Sequence, residues 1–233
     1  MLTIDYLLEN SKLPGPRGNL ELLYSFSQEA DRATSQKCLA YIKEDTANSP
    51  EEFVGMCGIV SYAVLNKDNV EETIKYLSKY ASHGSWRIRE AVAIGIQEIA
   101  EKKMELVLKS LEPWARGNAL EKRAVVAALC EPKLLSDQKV NQQILKILET
   151  ITQCFASLDK LTEEEKILRK SLGYGWSVLI VALPEAGKKS FQAYLKNKNK
   201  HINWIVKENL KKNRLLKMDK EWVDSMAAAL GII

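Results

Sequence analysis

Apolar residues recur three and four positions apart along almost the whole chain, and no stretch alternates apolar with polar as a half-buried strand must. That pattern restricts the chain to an all-α fold. Helix starts are written locally. Ser49-Pro50-Glu51-Glu52 offers an N-cap oxygen, a proline at the first helical position and two acids facing the positive end of the helix dipole. Asn118 with Glu121, and Thr162 with Glu165, have capping-box spacing, and Asp68 and Ser85 are read as two further caps. Breaks are expected at Pro14-Gly15-Pro16, His83-Gly84, Arg116-Gly117, Glu131-Pro132, Pro184 and Gly187. Such punctuation predicts roughly nine to eleven helices joined by short connections, the rhythm of stacked helical hairpins.

Internal similarity sharpens the expectation. Trp86-Arg87-Ile88-Arg89-Glu90-Ala91-Val92 aligns with Trp204-Ile205-Val206-Lys207-Glu208-Asn209-Leu210, and Leu120-Glu121-Lys122-Arg123-Ala124 lies between them. A two-helix repeat of the HEAT, armadillo or tetratricopeptide kind follows, because a single hairpin cannot bury its own apolar face. The expected architecture is one right-handed α-solenoid over residues 1–233. Divergent N-terminal helices occupy 1–67, HEAT-like repeats 68–215 and a C-terminal capping helix 216–233, with the second helix of each pair lining a concave surface. An irregular helical bundle is the other all-α solution. Leu13-Pro14-Gly15-Pro16-Arg17-Gly18 is read as a rigid loop between helices or as a polyproline-type docking strand.

Composition narrows the chemistry. With 46% hydrophobic and 27% charged residues the chain can bury a core, which excludes disorder as its main state. Two histidines and four cysteines without a C-x-x-C pair leave no usual zinc site and predict no metal and no cofactor. The cysteines are read as reduced, buried thiols in a cytoplasmic protein, expected to be monomeric. No apolar run approaches the ~20 residues that span a bilayer, and the N-terminus lacks a basic leader. There is no P-loop, HExxH or G-x-S-x-G, and Gly173-Tyr174-Gly175 follows no strand and lacks a third glycine.

Charge is unevenly placed. From Lys188 to Lys220 eleven Lys or Arg face only Glu208 and Asp219, in a chain whose total is +4, so the remainder is net acidic. Arg89 and Arg123 fall at equivalent repeat positions, joined later by Lys207; between Arg123 and Lys207, Arg169-Lys170 supplies two adjacent bases about 100° apart on a helix, of which at most one can share the row. Two readings stay open: a structural ladder, in which an Arg pairs with an acid such as Glu90, or a row of cations facing a polyanion. Trp86 and Glu90, four apart, share a helix face. They form either a core aromatic with a surface acid, or a small site in which the ring supports a ligand and the carboxylate stabilises developing positive charge.

Taken together, Ser85-Trp86 with Glu90, Leu120 to Ala124, Lys170-Ser171-Leu172-Gly173-Tyr174 and Lys207 to Lys212 resemble the HEAT-like-repeat DNA alkylation repair family, the alkylpurine DNA glycosylases. The resemblance covers Ser85 to Lys212. It implies an enzyme that holds duplex DNA in a basic concave groove and releases cationic alkylated purines without a base-flipping pocket. Glu90, Trp86 and Tyr174 would be its catalytic residues, and Arg89, Arg123, Lys170, Lys207, Lys211, Lys212 and Arg214 its phosphate contacts. Such a lesion leaves without a general acid, so one carboxylate stabilising an oxocarbenium-like transition state suffices. Glu90 stands where the family has Asp, Tyr174 where it has Trp, and Ser177 where it has a base. A methylene's difference in carboxylate reach, about an ångström, is of the size that costs ~10²-fold in rate. The reading from another class is a noncatalytic repeat scaffold that binds a protein or peptide.

Overall fold

The computed structural model describes residues 2–231. Among the described residues all regular structure is helical, as the periodicity requires. The chain divides into two compact units at Leu111/Glu112.

The first unit contains α1 (Ile4–Glu9), α2 (Leu20–Glu29), α3 (Arg32–Leu39), α4 (Pro50–Leu65), α5 (Val70–Ala81) and most of α6 (Trp86–Arg116). α4 is its centre. Eleven of its sixteen residues are buried, because apolar or small side chains surround it on every side. α3 and α4 form an antiparallel hairpin closed at Gly58, where a Cβ would lie 2.7 Å from the Leu39 nitrogen and 3.0 Å from the Cys38 Cβ. Ser61 Oγ donates to Ser35 Oγ at 2.9 Å inside this seam. α4 then meets α6 running in the same direction: Gly55 faces Ile88, and Gly95 faces Ala63 and Ile59.

Of the caps read at Ser49, Asp68 and Ser85, two form and one does not. Ser49 Oγ accepts the Glu52 N–H at 3.3 Å and Ser85 Oγ accepts those of Arg87 and Ile88 at 3.1 and 3.3 Å. Asp68, however, does not cap α5. Asn69 takes that place without a side-chain bond, and Asp68 lies 3.7 Å from Lys103 instead. α6 is also broken at Lys103, whose φ of −134° and ψ of 34° leave the helical region. The Pro14–Gly18 segment is an intramolecular loop: Gly15 N–H donates to Asn48 Oδ1 at 3.1 Å, and Gly18 packs against Phe53.

The second unit contains α7 (Ala119–Leu129), α8 (Gln138–Gln153), α9 (Glu163–Ala182), α10 (Pro184–Ala193), α11 (Lys200–Leu210), α12 (Asn213–Met218) and α13 (Lys220–Ala229). Both predicted capping boxes form, at Asn118/Glu121 and Thr162/Glu165. α9 is the hub. It pairs antiparallel with α8, where Trp176 Nε1 donates to Thr152 Oγ1 at 2.9 Å and Asn141 reaches the Ala182 carbonyl at 3.4 Å. It runs parallel to α11, with Arg169 facing His201 and Trp204, Gly173 facing Trp204 and Glu208, and Leu172 and Ser177 facing Asn209. Gly175 closes on Val126 of α7 and on Cys130, the residue that caps its C-terminus.

The expected break at Pro184 is present: α9 ends at Ala182 and Pro184 starts α10, where its missing N–H is harmless. Gly187 is no break but lies inside α10, where a Cβ would come within 3.1 Å of the Ile180 Cα, so glycine lets α10 fold back on α9. Asn209 is wholly buried; its side chain accepts the Ser177 N–H and donates to the Leu172 and Ile205 carbonyls, all at 2.8 Å. A polar side chain thereby enters the backbone ladder of α9 and fixes where α11 meets it.

Candidate functional site

The sequence-derived site residues fall in both units: Trp86, Arg89 and Glu90 in the first, and Arg123, Lys170, Tyr174, Lys207, Lys211, Lys212 and Arg214 in the second.

In the first unit, the start of α6 is built by His83 to Arg89. Ser85 N–H donates to His83 Nδ1 at 3.0 Å, so that nitrogen bears no proton and Nε2 donates to the Lys43 carbonyl, also at 3.0 Å. Arg89 is only 6% exposed; its Nη1 donates to the His83 carbonyl and, at 2.7 Å, to that of Gly84. The arginine is therefore not an outward-facing cation. It satisfies carbonyls of the turn that leads into its own helix, which is a structural role. Trp86, by contrast, is 53% exposed, and Glu90, one turn along, is half-buried.

Sequence reasoning missed the residues beneath Trp86. Arg87 lies under the indole with its guanidinium carbon 4.6 Å from the ring centroid. It is buried with Glu52, which accepts from its Nη1 at 3.2 Å, and its Nη2 donates to the Gly15 carbonyl at 2.5 Å. Glu52 further accepts the Asn48 N–H at 2.8 Å and the Ser85 hydroxyl. No local signal could have joined Glu52 to Arg87 across 35 residues; Glu52 reads in sequence as a first-turn acid.

In the second unit, Tyr174 is half-buried and its carbonyl accepts from Ser177 Oγ at 2.6 Å. Arg123 on α7 is half-buried; Lys170 on α9 and Lys207 on α11 are exposed. The Arg169–Lys170 pair is divided in use. Arg169 stacks on Trp204 at 4.4 Å and donates to His201 Nδ1 at 2.9 Å, which leaves Lys170 as the outward cation. At the α11–α12 junction a depression of about 450 Å³ is lined by Lys211, Lys212, Asn213, Arg214 and Lys217, with no acid among them. Lys211 is partly neutralised by its ion pair with Glu208, while Lys207, Arg214 and Lys217 are exposed. Lys217 follows Arg214 by three residues on one helix, the spacing that places both on one face.

Three of the four thiols are buried, as expected. Desolvation pushes those of Cys38 and Cys130 up to about 12 and raises Cys57 well above the ordinary thiol range, so none is a nucleophile. Cys154 departs from that expectation and is exposed. Among the described residues no cluster of His, Cys, Asp or Glu could hold a metal, and no helix is long and apolar enough to cross a membrane.

The fold and site define an all-α protein with paired helices, one exposed, cation-backed tryptophan and a basic surface on its C-terminal unit. No protein-family model matches the chain, and neither a curated protein nor a solved structure matches it.

Proposed function

We propose that the chain is a HEAT-like α-helical repeat protein that binds duplex DNA through its phosphates, as a relative of the alkylpurine DNA glycosylases. The observation that carries the proposal is the acid-free depression formed by Lys211, Lys212, Arg214 and Lys217. Clustered cations on an otherwise net-acidic chain concentrate positive potential where a polyanion would release counterions. Parallel pairing of α4 with α6 and of α9 with α11 supports the repeat reading, since stacked hairpins bring every second helix alongside in the same direction. Arg123, Lys170 and Lys207 extend the contact list, from which the burial of Arg89 removes that residue. Contacts of this kind give affinity without sequence readout.

The chemistry that the resemblance implies falls, within the first unit, to Glu90 as the stabilising carboxylate with Trp86 as its aromatic platform; Tyr174 belongs to the second unit. Release of methylated purine from alkylated duplex DNA, compared between the natural chain and Glu90→Gln, tests that step. Release that Glu90→Gln abolishes supports it. Release by neither protein ends the glycosylase reading and leaves phosphate binding standing.

The second reading, a noncatalytic scaffold for a protein or peptide, is favoured by one observation: Arg89, a member of the cation row, serves the fold. Gel-shift titration over salt separates the two. Duplex binding that weakens steeply with salt supports the DNA reading, and no binding at low ionic strength supports the scaffold.

A further inference from the structure

We propose that Trp86 is a one-sided stacking platform for an uncharged, unpaired nucleobase, and that Arg87 is the positioning residue that makes it so. The inference rests on the nucleic-acid reading above for the class of ligand and departs from its glycosylase branch, which would put a cationic purine at this ring.

Trp86 is the first residue of α6, and a tryptophan 53% exposed there contributes little to the core. Its inner face is covered by the Arg87 guanidinium at 4.6 Å. That guanidinium is fixed from two sides, by Glu52 at 3.2 Å and the Gly15 carbonyl at 2.5 Å, and Glu52 is itself held by Asn48 and Ser85. The ring therefore cannot fold inward without breaking a buried ion pair. A flat aromatic surface is kept outward and still, so little ordering entropy remains to be lost on stacking.

The chain contains its own control. Trp204, the aligned counterpart, also carries an arginine on its ring, Arg169 at 4.4 Å, but its Cζ3–Cη2 edge fills the space opposite Gly173 on α9. There the aromatic–arginine pair is an interhelical contact. At Trp86 the same pair leaves one face to solvent.

The charge behind the ring selects what the open face takes. A cation draws the π density of an indole toward itself, so the opposite face attracts a second cation less, and the two like charges repel. An uncharged heterocycle meets neither cost, and base–aromatic stacking is tolerant of base identity. Glu90, one turn along, is half-buried and already engaged within the protein. The platform thus differs from a site built for a cationic methylated purine.

The test uses the full chain labelled with 5-fluorotryptophan, whose five tryptophans give separate ¹⁹F signals, Trp86 being assigned with Trp86→Phe. Adenosine and N1-methyladenosine, its cation, are titrated in turn. The expected result is a saturable shift of the Trp86 signal, with adenosine binding roughly two- to fivefold tighter, the size of a cation–π effect at an exposed ring. Arg87→Met should erase that preference. Tighter binding of the methylated cation, or no shift with either nucleoside, overturns the proposal even if Arg87→Met fails to fold. A chain that shifts with adenosine but binds no duplex supports the platform and refutes the phosphate-binding reading; duplex binding with a silent Trp86 does the reverse.

Discussion

The carboxylate of Glu52 and the guanidinium of Arg87 are both out of water; Glu52 also accepts from Asn48 and Ser85, and Arg87 Nη2 donates to the Gly15 carbonyl, while Arg87 Nε is buried without a partner. Removing one partner would leave a buried charge uncompensated. Glu52→Gln is expected to destabilise the protein by about 3–5 kcal/mol in urea unfolding; a loss under 1 kcal/mol would mean the pair does not hold the loop, α4 and α6 together. Asn209→Ala should cost about 1–3 kcal/mol by the same measurement, since it removes the buried bonds that tie α11 to Leu172 and Ser177 of α9. Neither residue announces itself in sequence. Glu52 reads as a helix-start acid and Asn209 as a polar member of a basic helix, because their partners lie 35 and 32 residues away. Trp86 and Glu90 are legible as neighbours because helix geometry alone fixes that relation. Arg89 misleads because a repeat position says nothing of whether its side chain turns inward.

Elements were legible where their signals are local. Ser49, Asn118 and Thr162 cap as expected because an N-cap needs only the next three residues. The break at Lys103 has neither glycine nor proline to mark it, and Gly187 marks a close approach of helices rather than an end. Gly58→Ala is expected to push α3 from α4 at a cost of about 1–3 kcal/mol, read as a lower urea midpoint with unchanged slope. The start of α13 should be acid-sensitive. The Trp222 backbone N–H, and then Lys188 at 2.9 Å, hold the Asp219 carboxyl below its usual range. Its contribution is therefore present above the unfolded carboxyl's pKa and is lost as pH falls through the depressed folded value. A melting-temperature series against pH should fall less steeply in acid for Asp219→Asn than for the natural chain; equal slopes would contradict this linkage.

At the scale of the molecule, charge segregation was readable from the sequence, since counting needs no structure. The division into two units was not, because its boundary at Leu111/Glu112 falls within α6 and no linker composition marks it. The segregated charge is also what the functional account depends on. Its most direct test is the dependence of duplex affinity on salt for the natural chain and for a variant with Lys211, Lys212, Arg214 and Lys217 all changed to Ala. Each lost phosphate contact should lower the slope of log K against log salt by ~0.9, so the variant, short of four cations, should bind more weakly and with a slope smaller by about 3.6. An unchanged slope, or a natural chain that binds no duplex at low salt, would contradict the account.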